Sequence, residues 1–201
     1  MNLMDLLQGN LPDNLLGTLT NQVGAESTDQ TKVAAQGAIS ALAAALSKNA
    51  STPGGANALV SALDRDHDGS ILDDLAGFLG GSRQASNQSM LNGAGILKHV
   101  LGGNQNNIIN MISRMSGLDQ TKAGSMLTML APVILGALGK ARNQQNMGVN
   151  DLTKLLGGSV QEQAQSNRQF GLVQQLLDRD GDGSIMDDIA NIGLSFLKKR
   201  Q

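Results

Sequence analysis

Apolar residues recur along this chain at intervals of three and four almost from end to end, and no stretch sustains the strict alternation of a strand. That spacing gathers the apolar side chains of each segment onto one helical face, so the expected fold is all-α. Pro12 opens a first helix carrying Leu15, Leu16, Leu19 and Val23, and Gly24 closes it. Ser27 followed by Gln30 is a capping-box pattern, which predicts a second helix running to about Ser47 with Ile39, Leu42 and Leu46 on its face. Thr52-Pro53 reads as the cap and first turn of a third helix bearing Leu59, Val60 and Leu63, and a short helix from about Asp73 ends at Gly80-Gly81.

The polar, aperiodic stretch 82–90 is the expected linker. Beyond it the plan returns. One helix over 90–101 stops at Gly102-Gly103, and another with Ile108, Ile109, Ile112 and Met115 stops at Gly117. A long helix carries Met126, Leu127, Leu130, Ile134 and Leu138. A Gln/Asn-rich turn is expected at 143–150, then a short helix at 151–156. Ser159 with Glu162 reads as the cap of a segment carrying Phe170, Val173, Leu176 and Leu177, and a last helix runs to about Lys199. Asp29-Gln30-Thr31-Lys32 is matched by Asp119-Gln120-Thr121-Lys122. The expected architecture is therefore an array of short helices in two related halves, 1–81 and 91–201, each ending in an acidic loop and a short helix.

Composition narrows the chemistry. Among 201 residues there is no Cys, Trp or Tyr, and there are three Phe. That removes disulfides, thiolate nucleophiles and thiolate metal sites, and it leaves the core to Leu, Ile, Val, Met and Ala. The 25 glycines and many alanines suit closely packed helices, and no phosphate-binding glycine loop is present. The longest apolar stretch, Met126 to Gly139 with Pro132 inside it, is shorter than the ~20 residues that span a bilayer. The N-terminal residues lack the basic and apolar regions of a signal peptide, so the expected location is cytoplasmic, with no membrane partner.

Charge sharpens the picture further. The formal net charge is −2, but ten of the fifteen Asp lie in two windows, 64–74 and 178–188. Each window holds five Asp and one Arg and so carries −4, while the rest of the chain carries +6. The basic residues form no dense helix and have no aromatic companions, so nucleic acid is not an expected partner.

Both windows begin Asp-x-Asp-x-Asp-Gly-Ser-Ile, the first two-thirds of an EF-hand calcium loop. Carboxylates at positions 1, 3 and 5 face inward to a hard cation, Gly at position 6 allows the sharp turn, and position 7 offers its carbonyl. The candidate ligands are Asp64, Asp66, Asp68, Ser70, Asp73 and Asp74 in the first loop, and Asp178, Asp180, Asp182, Ser184, Asp187 and Asp188 in the second. Position 12, normally Glu, is Leu75 or Ile189, so one Asp of each closing pair is expected to complete the shell, Asp74 and Asp188 being favoured. Ile71 and Ile185 are expected to anchor the loops in the core, while His67, at position 4, is expected to face out. Two calcium ions are the expected cofactors, and filling both sites would turn −2 into +2.

Four stretches resemble a family of bacterial proteins of unknown function, the group that includes the YidB-like proteins. They are Gly93 to Gly103, Ser116 to Asp119, Met129 to Gly139, and the loop from Asp178 with its Asp-Asp ending. They cover most of 90–190, with the first half as a diverged copy. The resemblance implies a helical array with the Asp loop as a family feature, and implies no activity.

The expected function is a non-enzymatic calcium-binding helical protein, in which calcium stabilises or switches the helical body. The alternative is a self-associating structural protein in which calcium is only a staple. Met111, Met115, Met126 and Met129 lie near apolar helix faces, where they serve either as core filling or as the groove a calcium sensor exposes. His67 and His99 are the only histidines, and no nucleophile–base constellation accompanies them, so no enzyme is expected. The expected partners are calcium and a second copy of the chain or another protein.

Overall fold

A computed structural model describes residues 13–80 and 92–166, and every regular element among them is helical. The elements are α1 (Asp13–Val23), α2 (Thr28–Ala50), α3 (Pro53–Asp66), a 3₁₀ turn (Ser70–Asp74), α4 (Leu75–Leu79), α5 (Gly93–Leu101), a second 3₁₀ turn (Gly102–Asn104), α6 (Gln105–Ser116), α7 (Gln120–Gln145) and α8 (Val149–Ser166).

The starts follow the sequence signals. Ser27 accepts from the Gln30 N–H to begin α2, and Thr52 accepts from the Gly55 N–H to begin α3 with Pro53 in its first turn. Asp119 accepts from the Lys122 N–H at the head of α7. The matching tetrapeptides therefore do different work. Asp119 is itself the cap of α7, whereas Asp29 lies inside the first turn of α2. Thr31 is fully buried, with its hydroxyl between the Ser27 carbonyl and Thr20, while Thr121 is exposed.

Two helices form the centre. α2 lies against α6, α7 and α8, and α7 lies against α1, α3, α5 and α6 as well as α2. Each is buried on nearly every side, which is why its apolar residues form no single stripe. α2 meets this with alanine, burying eight of them, and the enclosed side chains around it include Leu42, Leu63, Leu97, Ile112, Met126 and Leu130. Full burial of a side chain of that size contributes about 1.5–3 kcal/mol. Met126 is enclosed and Met111 and Met129 pack against the core, so these methionines fill the interior. The two sequence halves interleave, because the long helix of each packs on the flanking helices of the other.

α7 runs unbroken through Pro132 for 26 residues. It is long and apolar enough to cross a membrane by length and composition, and most of its apolar window is buried within the bundle. A proline removes the N–H that would bond the carbonyl four residues back, here Thr128. The backbone of Gly93, at the head of α5, lies against that carbonyl so closely that a Cβ would overlap it. Two of the four family-like stretches thus meet each other at the proline.

The later boundaries differ from expectation. The Gln/Asn-rich residues to Gln145 are the last turn of α7, and the turn is only Asn146 to Gly148. α8 continues through Gly157, Gly158 and Ser159 to Ser166 instead of stopping at 156 and restarting at a Ser159 cap. Leu152 and Leu156 are buried, and α8 packs along α2, so tertiary contact outweighs the weak helix propensity of the two glycines. The expected linker and everything after Ser166, including the second acidic loop and last helix, lie outside the described residues.

Candidate functional site

The first acidic loop is seated on the C-terminal half of α7. α3 ends at Asp66, and the His67 N–H caps it by donating to the Leu63 carbonyl at 3.3 Å. Gly69 takes the left-handed conformation with φ +96°, as position 6 of the loop requires. The Asp68 carboxylate accepts from the Ser70 N–H at 2.9 Å, and the 3₁₀ turn starts there. Ile71 points inward and is 2% exposed.

Two glycines of α7 make the seat. The Ile71 side chain packs on Gly136 and the His67 carbonyl on Gly139, and a Cβ at either position would overlap its neighbour. One turn further, two cations hold the loop from the same helix. Lys140 Nζ lies 3.5 Å from Asp73 Oδ1, and the Arg142 guanidinium pairs with Asp64. Asn143 Nδ2 donates to the Asp68 carbonyl at 3.3 Å. Arg142 Nε is buried with no hydrogen-bond partner among the described residues, a cost that places this guanidinium by its pairing with Asp64 rather than by full satisfaction.

The five candidate carboxylates of this loop therefore go to separate partners, one of them the sixth candidate, Ser70. Asp64 goes to Arg142, Asp66 lies 3.7 Å from Arg65, Asp68 bonds Ser70, Asp73 goes to Lys140, and Asp74 caps α4 by accepting from the Gly77 N–H at 3.0 Å. The donor chemistry suits a hard cation, but the arrangement does not form a shell. Among the described residues no three His, Asp or Glu side chains are gathered to hold a metal. Asp178, Asp180, Asp182, Ser184, Asp187 and Asp188 lie outside the described residues. The Ser70 N–H and hydroxyl hold the Asp68 carboxyl below the usual carboxylate range.

His67 does not face out as position 4 of the loop predicts. His67 is buried, 5% exposed, and His99 is exposed. Burial lowers the His67 pKa from 6.5, and the Asp66 and Asp68 charges push it partly back. Both histidines line a cleft of about 330 Å³ between α2, α3, α5 and α7. Its walls are aliphatic, with Leu46, Leu59, Ile96, Val100 and Leu135. Its polar groups are Asp66, His67, His99, Asn49 and Asn92. Asn49 braces the site by donating to the carbonyls of Ala45 and Val100, both at 2.9 Å, which ties α2 to α5. The Asn92 side chain is spent on capping α5 at Gly95.

The glycine seat, the Lys140 and Arg142 clamp and the shared histidine cleft were not read from the sequence. The available signal was two glycines three apart in an apolar helix, followed one turn later by two cations. Nothing in one sequence says which loop that surface receives.

These features define a small helical bundle around two buried helices, with a polar loop locked onto one of them. The chain belongs to the family described as bacterial protein of unknown function (DUF937), whose model matches residues 5–141. The match runs through the first half, whereas the resemblance read from the sequence rests on 90–190; it takes in the first acidic loop, Gly136, Gly139 and Lys140, and ends before the second loop. No curated protein and no solved structure matches the chain.

Proposed function

We propose that this protein is a non-enzymatic helical scaffold that associates with further copies of itself, with the acidic loop as a fastener inside each copy. The observation that carries this reading is the seating of residues 64–74 on α7, with their carboxylates divided between Lys140, Arg142 and helix caps. A loop locked in this way supports rigidity more readily than switching. A net charge of −2 sets little repulsion between copies. Among the described residues Val33 is the one large hydrophobic side chain that is exposed, so contacts between copies would use polar and small-residue faces and be reversible. Sedimentation over a wide concentration range tests this. The expected result is a mass that rises with concentration and is unchanged by chelator; a monomer throughout would overturn it.

Calcium enters this reading as a staple. Its support is the loop backbone, with Gly69 left-handed and Ile71 anchored inward, as an EF-hand-like loop requires. Asp64, Asp66, Asp68, the Ser70 carbonyl and one of Asp73 and Asp74 would hold one ion, and the corresponding residues from Asp178 to Asp188 a second. The ion would supply charge neutralisation, in place of the α7 cations. Calorimetric titration of chelator-treated protein, with Asp64→Ala and Asp178→Ala as controls, should show two sites lost one at a time. Flat heats would remove calcium from the account and leave the scaffold reading standing.

A further inference from the structure

We propose that Lys140 and Arg142 compete with calcium for the first acidic loop, an inference that rests on the calcium reading of that loop: the ion binds there only by displacing the Arg142 guanidinium from Asp64. The backbone has the turn of a calcium loop, with Gly69 at φ +96° and Ile71 2% exposed. Its carboxylates are engaged from α7 instead of converging. Asp64, at position 1, pairs with Arg142, and Asp73, at position 10, lies 3.5 Å from Lys140 Nζ. The two cations bring +2 to a window that carries −4, which is the charge of one calcium ion.

Competition follows from charge and reach. A divalent ion on Asp64 would share one carboxylate with a guanidinium, and like charges so close repel strongly in a partly desolvated site. The Arg142 side chain is 20% exposed against 35% for Lys140, so Arg142 is the stronger competitor. It can also leave. Its Nε is buried with no hydrogen-bond partner among the described residues, and release to water supplies one. The seat does not leave with it. Ile71 packs on Gly136 and the His67 carbonyl on Gly139, and these contacts hold the loop on α7 whichever cation neutralises it.

The test is calorimetric calcium titration of the full chain in an Asp178→Ala background, so that the first loop is read alone, at near-physiological salt. Arg142→Met should tighten calcium binding about fivefold and Lys140→Met about twofold. Arg65→Met removes the same unit of charge from a side chain that is 76% exposed, and it should change the affinity less than either. Melting supplies a second readout, because displacement is reciprocal. Without calcium Arg142→Met should melt below its parent, and with calcium saturating the two should melt together. If Arg142→Met does not fold, Lys140→Met against Arg65→Met carries the comparison. An α7 variant that binds no tighter than Arg65→Met, or a melting difference that survives saturating calcium, would overturn the competition and leave the calcium reading standing. Flat heats from every chain, Arg142→Met included, would remove calcium from the loop and the competition with it.

Discussion

At Gly136 and Gly139 a single hydrogen decides whether the loop can sit on α7. A Cβ at Gly139 would overlap the His67 carbonyl, which is backbone and cannot rotate away. Gly139→Ala should therefore destabilise the protein by about 1–3 kcal/mol despite its better helix propensity, the usual size of an overpacking strain. Gly158 in α8 is the control, because nothing lies within 4 Å of its added Cβ. There alanine should stabilise by roughly 0.5–1 kcal/mol. Urea unfolding of both variants checks the pair, and equal effects would mean that helix propensity alone governs both sites. His67 gives a prediction in pH. Burial holds its folded pKa below 6.5, so the unfolded chain binds the proton more readily. Stability is then full above the unfolded value, falls as pH drops toward the folded value, and levels off beneath it. His67→Leu should flatten that slope between neutral and mildly acid pH, and parallel wild-type and variant curves would refute the assignment.

Helix existence was legible in the sequence because caps and periodicity are local. Ser27, Thr52 and Asp119 cap the helices they introduce, and Pro12 and Gly24 bracket α1 closely. Boundaries set by tertiary contact were not. The run from Gly157 to Ser159 reads as a stop, yet Leu152 and Leu156 hold α8 on α2 and the helix continues. The loop residues were legible as a group, but their partners were not, since Lys140 and Arg142 lie 67 and 78 residues beyond Asp73 and Asp64 along the chain. That separation makes the clamp measurable. The Arg142 side chain is 20% exposed and that of Asp64 46%, so screening by solvent is partial. A double-mutant cycle on the two should give a coupling of about 0.5–1 kcal/mol that shrinks with added salt. The Lys140–Asp73 pair, at 35% and 71% exposed, should give less. Zero coupling for Arg142 would leave the glycine seat as the sole fastening.

For the whole molecule, interleaving governs how it unfolds. The expectation of two related halves invites that of two independent units joined by the polar stretch 82–90. The packing opposes that, because α2 covers α6, α7 and α8, and α7 covers α1 and α3. Thr153 in α8 reaches the Ala50 carbonyl at the end of α2 at 3.5 Å, adding a polar tie across the same boundary. Removing either half would expose nearly every side of a helix that is apolar all round, with no second face to bury it. Unfolding should therefore be one cooperative transition in which calorimetric and van't Hoff enthalpies agree. A fragment ending at residue 81 should lack any cooperative melt, and it should bind a dye that reports exposed apolar surface. Two resolved transitions in the intact protein, or a fragment that melts cooperatively, would mean that each half closes its own core. One transition would make the clamp at α7 part of global stability, so its loss would lower the single melting temperature without creating a second one.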